Sequence, residues 1–272
     1  MLLETWWLIP LLLVSLCGLV CPLLGTLLVL QQRVLTTNLM AYAVLPGVVF
    51  AKALGWPALL GGITGAIGAV LLAEWLMQGR PAGSGQAEAV LNTVLAASLG
   101  LGVLLIQALE LPVNLNGLLY GDLLVAGPTD LLRLVVALAL VLLVLGLRFQ
   151  QLQWLGLDPE GAEAMELPLR GLRLAMAALT GLVVVSATAA VGLALVMALI
   201  CAPSVAGLVG ARSLPQALHR ASGLGLAISL AGCGLSLGLN LPPGPLIACA
   251  CLALLMGRAH RNVLLGRQRG SN

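Results

Sequence analysis

WWLIPLLLVSLCGLVCPLLGTLLVLQ, from Trp6 to Gln31, holds no charged residue and no alternation of polar with apolar positions. A helix rises 1.5 Å per residue, so about 20 such residues cross the roughly 30 Å hydrocarbon core of a bilayer. Lipid offers the backbone no hydrogen-bond partner, which leaves a helix or a closed barrel as the spanning element. A continuous, non-alternating run rich in Leu and Val selects the helix. Glu4 and the two tryptophans read as an interfacial anchor, because a cleaved signal peptide would begin with basic residues.

The same pattern recurs along the chain. Of its 272 residues 60% are hydrophobic and 8% charged, and the mean hydropathy is +1.09. No soluble domain of this size has that composition. The runs predict spans at Trp6 to Gln31, Asn38 to Ala53, Pro57 to Met77, Ala89 to Leu109, Leu131 to Leu147, Leu172 to Val191, Leu193 to Val209, Ala217 to Gly238 and Pro245 to Met256. The expected fold is therefore an all-α integral membrane protein, a polytopic helical bundle of about 8–9 transmembrane helices, with residues 1–272 as one transmembrane domain. Gly61, Gly62, Gly65 and Gly68 have the spacing that lets membrane helices approach closely.

With the N-terminus outside, the inner connections hold Arg33, Arg80, Arg148, Arg170, Arg173, Arg212, Arg220, Arg258, Arg261, Arg267 and Arg269, leaving only Lys52 and Arg133 of the 13 basic residues near the other face. Positive charge is retained on the cytoplasmic side, so N-out, C-in and an odd number of spans are expected in a cell membrane. Two interruptions are longer than turns. Leu111 to Asp130 is outside and semi-polar, and is expected to pack against the bundle mouth. Leu147 to Arg173 is inside, and Asp158 or Pro159 could start a short helix carrying Glu160, Glu163 and Glu166. Acidic side chains suit the first turns of a helix, whereas an anionic inner leaflet would repel them. Such a helix is either solvated or presented to a protein.

Enzyme chemistry finds little support. There is no HExxH, CxxC, phosphate-binding loop or GxSxG. His219 and His260 stand beside arginines at the inner surface, and no basic patch carries interleaved aromatics, so nucleic acid is not an expected partner. Lys52 and Glu74 are the ionisable groups nearest the membrane interior, each close to a span end. Cys17 and Cys21 share a helical face, as two packed small residues or as a soft-metal pair. Without a nucleotide site, active transport must draw on an ion gradient or a separate ATPase.

Three segments, in order, resemble the permease subunits of zinc and manganese ABC importers: QQRVLTTNLMAYAVLPGVVFAKALG at 31–55, VNLNGLLYGDLLVAGPTDL at 113–131 and VGLALVMALICAPSVAGLVGARSLPQAL at 191–218. That resemblance implies an ABC permease fold and a homodimer, working with two copies of an ATP-binding subunit and an extracytoplasmic metal-binding protein. No cofactor belongs to this chain, and ATP sits on the partner subunit. Residues 156–170, with Asp158, Glu160, Glu163 and Glu166, would be the segment docking on the ATPase. The stretch from Tyr120 to Asp122 would lie near the binding protein.

The departures concern the substrate path. Where the family places Asp and, one turn later, His, this chain has Asn38 and Tyr42, and the last helix is preceded by NLPPG with Asn240 in place of Asp. Manganese and zinc favour carboxylate and imidazole over amide and phenol oxygen. Three readings stay open: a weaker neutral transit site for a divalent metal, a chelated or non-metal substrate, or a path that bypasses these positions. An ion-gradient carrier is the alternative from another class.

Overall fold

The computed structural model describes residues 8–77, 84–110, 126–157, 161–162, 165, 169–239 and 241–269, with backbone alone at 170, 189 and 259–269. Among these residues all regular structure is helical: α1 Leu8–Leu30, α2 Val34–Ala53, α3 Ala58–Leu76, α4 Gly85–Ala108, α5 Pro128–Leu157, α6 Leu169–Val191, α7 Leu193–Leu208, α8 Leu214–Leu239 and α9 Pro243–Arg269. Seven are long and apolar enough to cross a membrane, and the apolar helices Leu193–Leu208 and Pro243–Arg258 are shorter. Every expected span is a helix.

Burial ranks the helices. α7 is apolar on all sides and buries Leu193, Leu195, Val196, Leu199, Ile200 and Pro203, as a helix surrounded by other helices should. It packs against α1, whose Leu13, Cys17, Cys21 and Leu24 have no exposed surface. By contrast α4 and α5 bury little and present leucines outward. Pro22 inside α1 lacks an N–H and breaks the regular ladder, yet the polar groups around it are used. Its carbonyl accepts from Thr26 Oγ1 at 2.7 Å and from Ser204 Oγ of α7 at 3.1 Å. Both bonds go to the carbonyl of Pro22 itself, and the second ties α1 to α7, while the group that the missing N–H leaves without a helical donor is the Gly18 carbonyl four residues back.

Specific residues set the helix boundaries. Ser84 caps α4, its side chain accepting from the Ala87 N–H at 3.3 Å, and Glu88 sits in the first turn, where the helix dipole favours an anion. Gly192, at φ 88°, divides α6 from α7, a conformation most side chains resist. The far end of α7 is held by two arginines. Arg258 of α9 donates to the Ala206 carbonyl, and Arg220 of α8 donates to that of Gly210 at 3.0 Å.

Two boundaries differ from the sequence-based expectation. The inner interruption is expected to begin at Leu147, but α5 bends at Arg148 (φ −123°, ψ 19°) and continues to Leu157. Leu152 and Leu155 are nearly fully buried in this extension while Trp154 and Leu157 are exposed, and Arg148 Nη1 donates to Gln151 Oε1 at 2.9 Å. That amphipathic turn explains why the helix does not stop at the membrane edge. Likewise α9 runs past Met256 to Arg269, and its terminal arginines suit the negative end of the dipole.

Candidate functional site

α2 and α3 form the tightest pair, because glycines let their backbones touch. Gly47 of α2 lies against the Gly61 carbonyl and Gly65, while Gly65 lies against the Ala43 carbonyl. On another side of α2, Leu45 and Val49 pack with Ile106 of α4. Asn38 and Tyr42 stand one turn apart near the start of α2, both half-buried, and Tyr42 leans on the main apolar core. Neither side chain has a hydrogen-bond partner among the described residues. Pro46, inside α2, has no N–H to offer the carbonyl four residues back. The Tyr42 carbonyl therefore lacks its usual helical donor, adding a neutral oxygen to the amide and phenol beside it.

Asn240 lies outside the described residues, between Leu239 of α8 and the start of α9, as do Asp158, Glu160, Glu163 and Glu166, which fall between Leu157 of α5 and Leu169 of α6. Tyr120 to Asp122 lie outside them too. Among the described residues, no three His, Cys, Asp or Glu side chains stand close enough to hold a metal ion. Cys17 and Cys21 are a buried neighbouring pair with no third ligand among those residues.

A charged cluster that no sequence motif announces lies where α1, α3 and α5 end and α2, α4 and α6 begin. Arg33, in the turn before α2, is 3.7 Å from Glu74 near the end of α3. Arg173, one turn into α6, shares a 420 Å³ cavity with both. A neighbouring cavity of 600 Å³ adds Gln31, Glu88 and the end of α5 to the same three residues. Burial first, and then the like charge of Arg173, push the Arg33 pKa below its ordinary value, while Glu74 pulls it back. The guanidinium stays charged at neutral pH. With 30% and 50% of the two side chains exposed, the pair contributes only about 0–1 kcal/mol to stability. Gln31 completes the cluster, its amide nitrogen and oxygen both buried without a protein partner among the described residues. One signal for the cluster was available: Glu74 is an acid at the end of a span on the face where most of the basic residues collect.

The profile of the ABC 3 transport family matches residues 7–260. An uncharacterised membrane protein of Cyanophora paradoxa is 31% identical over 232 residues, covering 85% of this chain and 77% of its own. The manganese transport system membrane protein MntC of Halalkalibacterium halodurans is 29% identical over 219 residues, covering 80% of this chain and 74% of its own. Among solved structures, PsaBC from Streptococcus pneumoniae in complex with Fab superposes with a TM-score of 0.84 at 24% identity, over 92% of this chain and 90% of that one.

Proposed function

The chain belongs to the ABC 3 transport family and is a membrane-spanning permease subunit, and from that premise we propose that it carries a divalent metal, manganese first, into the cell. The observation carrying the substrate is the likeness to the manganese transport protein across four-fifths of this chain. α2 fits the task in an unusual way. Asn38, the Tyr42 phenol and the Tyr42 carbonyl are neutral oxygens, which hold manganese more weakly than carboxylate and imidazole do. A conduit gains from weak binding, because it must release what it receives.

In this reading ATP is bound and split on a separate subunit, two copies of the permease surround the path, and an extracytoplasmic metal-binding protein delivers the ion. The N-terminus is outside and the C-terminus inside, as the arginine distribution favours. Asp158, Glu160, Glu163 and Glu166 dock on the ATPase. A chelated metal is the second reading, favoured by the replacement of carboxylates by amides at positions 38 and 240.

Docking gives the direct test. Glu160→Lys with Glu163→Lys is expected to abolish copurification of the ATPase while leaving the permease monodisperse in detergent. An intact complex carrying both lysines would remove this segment from the interface.

A further inference from the structure

The packing of α3 against α6 is uneven along its length. Towards one end Gly62 lies against the Val185 side chain, and Gly181 stands at ordinary contact distance from Ala66. Towards the other the helices part around the 420 Å³ cavity, lined by Ile67, Val70, Leu71 and Glu74 from α3 and by Arg173, Leu174 and Ala177 from α6. The gap is a wedge, closed at Gly62 and open at the charged end. Glu74, the one carboxylate among the described residues that line it, faces two guanidiniums. It pairs with Arg33 at 3.7 Å, while Arg173 lines the same cavity and makes no ion pair among the described residues.

The three charges belong to parts that can move separately. Arg33 and Glu74 ride on the α2–α3 pair, whose glycine contacts make it one body carrying Asn38 and Tyr42. Arg173 rides on α6, seven residues along the sequence from Glu166, where the segment from Asp158 ends. We propose that Glu74 exchanges its partner between Arg33 and Arg173, so that the wedge closes and opens in each cycle and movement of the inner segment reaches α2. The inference rests on the permease reading above. An exchange of this kind provides two discrete arrangements, which transmission through packed helices requires. The energy at stake is small, so the device can be poised without holding the fold together.

Charge inversions separate exchange from a static pair. Manganese uptake and ATP hydrolysis are measured on the complete transporter in vesicles. With Glu74→Gln or Arg173→Gln, the ATPase stays bound and hydrolysis stays within about twofold, but manganese moved per ATP falls at least tenfold. Arg33→Glu with Glu74→Arg rebuilds the pair, yet sets a guanidinium at position 74 against that of Arg173, and coupling stays lost. Adding Arg173→Glu inverts all three charges and restores coupling to within about threefold of wild type. Restoration by the double inversion alone would show a static pair and overturn the exchange, as would normal coupling in Glu74→Gln. Wild-type uptake that needs no ATPase would overturn the permease reading itself, and the exchange with it.

Discussion

Gly47→Val is expected to leave almost no folded protein. A Cβ at this position would run into the Gly61 carbonyl oxygen and come within 3.0 Å of the Gly65 Cα. All of these are backbone atoms, so no side chain can swing aside. Overpacking in a core that can adjust costs about 1–3 kcal/mol, and here α2 must tilt off α3 along its whole length. The yield of monodisperse protein should fall below a tenth of wild type, on the order of 1.4 kcal/mol or more. Gly68→Val is the control, because a Cβ on that glycine of α3 meets nothing within 4 Å. Equal behaviour of the two variants on size exclusion would show that the α2–α3 contact is not as close as described.

Asn38→Asp combined with Tyr42→His should have the largest effect on the substrate. The two side chains already share one face of α2, half-buried and without partners among the described residues, so the change supplies a carboxylate and an imidazole at the spacing of one helical turn. Manganese binding to the purified transporter, measured by equilibrium dialysis, is expected to tighten about 100-fold, or close to 3 kcal/mol. Release should then become limiting and uptake should slow. Unchanged affinity would place the path away from this face of α2. The Tyr42 carbonyl, left without its helical donor by Pro46, gives a further discrimination, since Tyr42→Phe removes the phenol but keeps the backbone oxygen, and should lower uptake only a few-fold.

Much of the fold was legible because a bilayer imposes a length. Residues 6–31 cannot be anything shorter than a span, and the same logic found all nine helices of the described residues. It failed at Arg148, where the end of an apolar run was mistaken for the end of a helix. Leu152 and Leu155 continue α5 through burial on one side only, a signal of period rather than of total hydropathy. The candidate site was legible in part. Asn38 and Tyr42 came from family resemblance, and their placement on one helical face follows from a spacing of four. Arg33, Glu74 and Arg173 were each noted singly, but their clustering was not, because they lie on three elements far apart in the chain and no local pattern joins them. Charge counting placed the two arginines on the inner face and left Glu74 only close to a span end, and the packing of α3 against α6 brings the three to one cavity.

The most direct measurement is manganese uptake by vesicles that contain this chain with its ATPase and its metal-binding protein, with and without hydrolysable ATP. Accumulation that requires both ATP and the ATPase, and that zinc competes for more strongly than a chelated iron does, is the expected result. Uptake that proceeds without the ATPase, or a transporter that moves only a chelated metal, would contradict the assignment of this chain as a permease for divalent metal ions.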